Sequence, residues 1–222
     1  MGQNEIILPD ACVLLTLHHQ RDSHNVKFQF SILRLRRIYI RSFMNRFLNR
    51  FFRAAKLDVT LYQEIIEDKG TLNQALIVVF IYSMAAAYGT FGGGGASITN
   101  IVMITTLLGW YVWAFSTYIV GARILPEART QPDRKALLRV LGFASAPGIL
   151  RLLGFIPGLG IVVLLAATGW MIAAATVGIK QALNYESTFR ALGVCIIGMI
   201  ISAVFQGIMF IMLFSAFGVG SK

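Results

Sequence analysis

Arg151 is the residue of this sequence that most invites a chemical role. It is the one charge placed clearly inside an apolar stretch. A cation in hydrocarbon is costly and is by default a functional candidate: it can bind a lipid phosphate, a substrate anion or a partner's carboxylate. It can also snorkel to the outer interface, because it falls about four residues past the middle of its stretch. Upstream lie two further sets. Arg46, Phe47, Arg50, Phe51 and Arg53 are candidates for contact with a membrane surface. Asp58, Tyr62, Glu64 and Glu67 are candidates for contact with a protein partner. His18, His19 and His24 have no carboxylate at a spacing that would complete a metal site. Cys12 and Cys195 lie in different solvents without CxxC spacing, so no disulfide is expected. The apolar stretches hold no carboxylate and no histidine. Acid/base and metal chemistry is thus missing where a membrane enzyme would keep it, and neither a catalytic residue nor a cofactor is expected.

The elements that position these residues follow from hydropathy. Of 222 residues, 56% are hydrophobic and 14% charged, against about 25% charged in soluble domains. Five apolar stretches can each cross a bilayer: Leu72–Phe91, Ile98–Ala122, Leu137–Ile156, Leu159–Lys180 and Arg190–Phe217. The expected fold is an all-α integral membrane protein, with five transmembrane helices and an N-terminal cytoplasmic amphipathic helix. Its parts are a basic, poorly structured extension over 1–43, an interfacial and short acidic segment over 44–70, and the membrane domain over 71–222. Met44 opens the periodic part of the chain and is read as the native start.

In Met44–Lys56 the apolar Phe47, Leu48, Phe51, Phe52 and Ala55 share one face, and Arg46, Arg50, Arg53 and Lys56 the other. That pattern suits a helix lying among headgroups, or one packing on the protein's own spans. A short acidic helix then ends at Gly70, and Thr71 with Gln74 forms a capping-box pattern opening the first span. The net charge of +10 clusters beside apolar segments. Anionic lipid headgroups are therefore the expected partner, with no nucleic acid. Basic residues crowd the arm, the second-to-third loop (Arg123, Arg129, Arg134, Lys135, Arg139) and the fourth-to-fifth loop, while Gly92–Ser97 and Pro157–Gly158 hold none. The bias puts the N-terminus in the cytoplasm and the C-terminus on the opposite side, in the inner membrane if the source is bacterial.

Pro147 should break its helix, with Ser145 free to satisfy a released carbonyl. Gly142 and Gly148 allow close helix approach, and Pro157–Gly158 makes the following turn. Gly92–Gly95 reads as a connector, since no phosphate-loop lysine follows. Small-residue pairs make a homo-oligomer possible without requiring it. Asn100, Gln206 and the hydroxyls of the second span could line a polar path or bridge helices.

Leu137–Pro147, Ile156-Pro-Gly158, Trp170, and Val177–Leu183 leading to Ser187, Arg190 and Ala191 together resemble the Yip1-domain family of small polytopic membrane proteins. The resemblance runs over about Leu57–Phe217. It implies five spans with a cytoplasmic N-terminus, a fold and a location but not an activity. The expected role, non-enzymatic organisation of protein partners or lipids at the membrane, rests on the arm from Met44 to Lys69 as a cytoplasmic contact surface. Eukaryotic members are linked to vesicle traffic and Rab-type GTPases, and an acidic Leu-Tyr-Gly-Pro-like element precedes their first span. Here Asp58-Val-Thr-Leu-Tyr62 lacks the Gly-Pro. The chain therefore looks like a prokaryotic member, and GTPase binding is not carried over. The alternative is a transporter or channel for a small solute, ion or lipid, possibly as a homo-oligomer. Five spans do not divide into two equal inverted halves.

Overall fold

A computed structural model describes residues 36, 41–91, 95–130 and 133–216. His18, His19, His24, Cys12, most of the 1–43 extension and most of the Gly92–Gly95 connector lie outside them. The chain forms two compact units, Met1–Leu48 and Asn49–Lys222. In the first, residues 41–48 are helical and the Phe43 and Phe47 rings stack with centroids 6.5 Å apart.

No strand occurs among the described residues. Residues 41–55 form helix α1, which runs unbroken through Met44. Leu57, at a left-handed φ of 62°, turns the chain into α2 (Val59–Glu67), whose N-cap is Asp58. A 3-10 turn over Lys69–Thr71 leads directly into α3 (Leu72–Phe91). The capping box expected at Thr71 and Gln74 is therefore absent. With no helix start to cap, the Thr71 hydroxyl donates to the Asp68 carbonyl at 2.7 Å, and Gln74 takes a different partner.

Among the described residues, five helical segments are long and apolar enough to cross a membrane. They are α3; α4 (Gly95–Ile119) with its π-helical end Val120–Ile124; α5 (Arg134–Ala144) with the 3-10 stretch Ala146–Phe155; α6 (Gly160–Ala182); and α7 (Thr188–Ala216). Pro147 stands at the start of the 3-10 stretch, where its missing N–H costs least. The break is thus a change of helix type. Just before it, at the end of α5, Ser145 donates to the Leu141 carbonyl at 3.0 Å. Gly158 forms the following turn at φ 86°, with Pro157 exposed beside it.

In the second unit the spans close a ring: α7 packs on α4, α4 on α3, α3 on α5 and its 3-10 stretch, these on α6, and α6 on α7. Small residues set the spacing. Ala75, Tyr82 and Gly89 repeat at i, i+7 and i+14 along α3 and meet Gly142, Gly148 and Gly154 in turn. Hydroxyls close the α4–α7 seam: Ser202 donates to the Gly109 carbonyl at 2.7 Å and Ser116 to that of Gly198 at 3.3 Å. The Gln206 amide donates to Ser202 at 3.0 Å.

Candidate functional site

A 3-10 helix has three residues per turn, so residues three apart eclipse. Gly148, Arg151 and Gly154 therefore form one stripe facing α3. This places the Arg151 guanidinium beside the Tyr82 ring, 5.4 Å from its centroid. Its Nη1 donates to the Tyr82 hydroxyl at 3.1 Å and its Nη2 to the Thr168 hydroxyl at 3.0 Å. Its Nε is buried and finds no acceptor among the described residues. Arg151 borders a partly open cavity of about 350 Å³, to which every span contributes: Tyr82, Trp110, Arg151, Thr168 and Gln206 are among its walls. A second cavity of about 260 Å³ lies on its other side, between Gly89, Gly154 and the start of α6.

At the end carrying the arm, charges pair. Arg50 donates from Nε to Glu64 at 2.9 Å, from Nη2 to Asp68 at 3.0 Å, and from Nη1 to the Gln74 amide oxygen at 3.0 Å. Arg53 donates to Asp58 at 2.7 Å and to the other Glu64 oxygen at 2.9 Å. Arg139, only 3% exposed, donates to the carbonyls of Ile65 and Ile66 at 3.0 and 2.8 Å, at the last turn of α2. A cation there satisfies orphan carbonyls and opposes the negative end of the helix dipole. The Trp170 indole donates to the Ala55 carbonyl at 2.7 Å. Trp170 lies about 18 Å along α6 from its end at Ala182, farther than an indole reaches. The end of α1 therefore lies down the flank of α6.

The pairing fixes ionisation. Hydrogen bonds from Arg53 and then Thr60 bring the Asp58 carboxyl down from its ordinary 3.8 to about 2. Glu64 and Asp68 are opposed by burial, yet both are held below their ordinary values. The Arg50 and Arg53 hydrogen bonds do so for Glu64, and the Gly70 N–H and Arg50 for Asp68. Arg53 is raised, chiefly by Asp58. Depressed folded-state values mean that the network stabilises above the unfolded values, 3.8 for Asp and 4.5 for Glu, and fades as pH falls toward 2. Thermal midpoints followed by tryptophan fluorescence should be flat from pH 8 to about 5 and fall below about 4. Arg53→Ala should make that fall shallower.

A Yip1-domain family model matches residues 59–209. The chain belongs to the Yip1-domain family. It is a multi-pass integral membrane protein. Neither the curated proteins nor the solved structures give a match. The Yip1-domain match includes Glu64, Asp68, Arg139 and Arg151 but begins after α1, so Arg50 and Arg53 lie outside it.

The Yip1-domain structure rearranges the two upstream sets. Arg50 does not lie on an outer basic face: its side chain is 12% exposed, because Glu64, Asp68 and Gln74 converge on it. The face of α1 left exposed is instead Met44, Leu48 and Phe52, with Arg46. Phe47 is buried and Phe51 half-buried. Asp58 and Glu64 spend their charge on these arginines. Tyr62, read as a partner contact, is fully buried; its ring fits against Gly178, where a Cβ would come within 3.2 Å of it. Glu67 stays exposed. Arg139, counted with the loop, is a buried α5 residue, because the third span begins at Arg134. Sequence reasoning also missed Tyr82, Trp110 and Thr168. The heptad spacing of Tyr82 between Ala75 and Gly89 was the available signal for the first.

Arg50→Met should lower stability by about 1–2 kcal/mol. Glu64 and Asp68 side chains are 40% and 43% exposed, so water recovers part of what the arginine gave. Chemical denaturation in nanodiscs measures this.

Proposed function

We propose that this Yip1-domain protein is non-enzymatic and organises protein partners or lipids at the cytoplasmic side of its membrane. The observation that carries the reading is the fastening of the arm. Arg50 ties α1 to Gln74 of the first span, Arg139 ties α5 to α2, and Trp170 ties α6 to Ala55. Exposed Phe52 and Glu67 are thereby presented from a fixed frame rather than from a tether. The acids beside them are held ionised in ion pairs, which suits a structural part better than proton transfer. Loop charge supports a cytoplasmic N-terminus, with the C-terminus opposite. Deleting the arm would be a poor test, because it would also uncover Arg139. The better variant is Phe52→Ser with Glu67→Lys. Mass spectrometry after extraction into polymer nanodiscs should find a protein partner retained by the wild type and lost in the variant at unchanged thermal stability. Equal retention by both, or no retained protein at all, would sink the partner half of the reading.

A second reading, passage of a small solute or lipid, is supported by the partly open cavity that all five spans line. Flux in proteoliposomes that Arg151→Ala abolishes would favour it.

A further inference from the structure

We propose that the intramembrane cavity is a binding site for an oxyanion, of the phosphate class, held by Arg151 and Trp110. Four observations converge. The cavity of about 350 Å³ falls within the size range of small-ligand sites. Its bordering cation has no carboxylate among the described residues: both of its recorded hydrogen bonds go to neutral hydroxyls, Tyr82 and Thr168. The Arg151 Nε–H is buried and unsatisfied. Independently, Trp110 lines the same cavity at 6% exposure, and its Nε1–H has no acceptor either.

The leftover groups decide the ligand's sign. Guanidinium and indole nitrogens only donate. A site whose two unsatisfied buried groups are both donors, one of them cationic, calls for an acceptor carrying negative charge. A cation would meet like charge at Arg151, and a neutral hydrocarbon would leave both donors stranded. The snorkelling alternative is weakened by the geometry: Tyr82 and Thr168 hold the guanidinium between α3 and α6, inside the bundle. The second cavity also borders Arg151 and is walled by Gly89, Gly154, Ile161, Val163 and Leu164. An oxyanion bearing an apolar tail would find aliphatic surface there. The shared chemistry is thus a phosphate oxyanion, supplied either by a lipid headgroup or as the free ion.

The test uses the full chain in phosphatidylcholine nanodiscs. One arm adds phosphatidylglycerol and counts lipids retained per chain by native mass spectrometry. The other adds inorganic phosphate and follows the shift of the thermal midpoint by circular dichroism, a signal that does not depend on Trp110. Arg151→Gln removes the charge. Trp110→Phe removes the N–H together with part of the ring and leaves the Arg151 charge in place, so it stays informative if Arg151→Gln does not fold. The wild type should retain one phosphatidylglycerol or respond saturably to phosphate. Arg151→Gln should weaken this at least about tenfold, and Trp110→Phe by about threefold to tenfold. Arg151→Lys should recover part of the loss. Retention of the lipid alone identifies a headgroup site; response to phosphate alone identifies a free-ion site. Binding in neither arm by a folded wild type, or binding indifferent to Trp110→Phe and to a folded Arg151→Gln, overturns the proposal. The outcome is separable from partner recruitment, since Phe52→Ser with Glu67→Lys leaves the cavity untouched.

Discussion

Replacing Gly89 by alanine should be among the most damaging single changes in the chain, costing about 3 kcal/mol. At Gly89 the backbones of α3 and the 3-10 stretch touch. A Cβ there would fall on the Arg151 carbonyl, and one at Gly154 would come within 2.8 Å of the Gly89 carbonyl. Neither obstacle is a flexible side chain that can swing away. One backbone must shift, and the Arg151 backbone is among those displaced. The expected result is a large drop in the unfolding free energy, with the hydrogen bonds to Tyr82 and Thr168 weakened as well. Gly169→Ala and Gly193→Ala are the controls: both positions are helical and a Cβ there meets open space. They should change stability by about 0.5 kcal/mol or less. If Gly89→Ala behaves like these controls, the close backbone contact described here is wrong.

Arg139→Met should also cost about 3 kcal/mol. Replacing a whole buried ion pair by apolar groups can be neutral, but here the acceptors stay behind. The Ile66 carbonyl loses the arginine's hydrogen bond, and the Ile65 carbonyl is left with the Thr71 hydroxyl at 3.4 Å. The nearest carboxylate, Asp133, is 3.9 Å away and 59% exposed, so it contributes little. Arg139→Lys keeps the charge but lacks the planar fork that reaches two carbonyls, and should recover about half. Limited proteolysis gives the second readout. In Arg139→Met the arm should be cut faster between α1 and α3, while the spans stay protected. Unchanged arm protection would mean that Arg139 does not hold α2.

The five spans were legible because their signal is local: a run of apolar residues long enough to cross hydrocarbon needs no knowledge of its neighbours. The break at Pro147 was legible for the same reason. The arm was misjudged because its pairs are long-range. Periodicity sorted Arg50 and Arg53 onto a polar face, and polar faces are normally solvated. Nothing in a single sequence shows that Glu64 and Asp68, 14 and 18 residues away, fold back onto Arg50. Arg139 was hidden by the basic residues preceding it, which made the start of a span look like a loop. Arg151 was visible as a lone charge, but its bearing was not, because α-helical and 3-10 windings aim a side chain differently. Trp110 gave no signal, since an indole in a span is usually packing or interfacial.

That winding has a mechanical consequence. Ala146–Phe155 makes a 3-10 helix of ten residues, longer than such runs usually persist. Rewinding it as α-helix would shorten it by about 5 Å and turn Arg151 by about 60° relative to Gly148. The charge would then leave the stripe it shares with Gly148 and Gly154, and with it the hydroxyls of Tyr82 and Thr168. A single change of pitch thus both draws in the turn at Pro157–Gly158 and rotates the cation. The third span is a screw whose thread angle aims the arginine, and an anion bound there would act as its lock-nut.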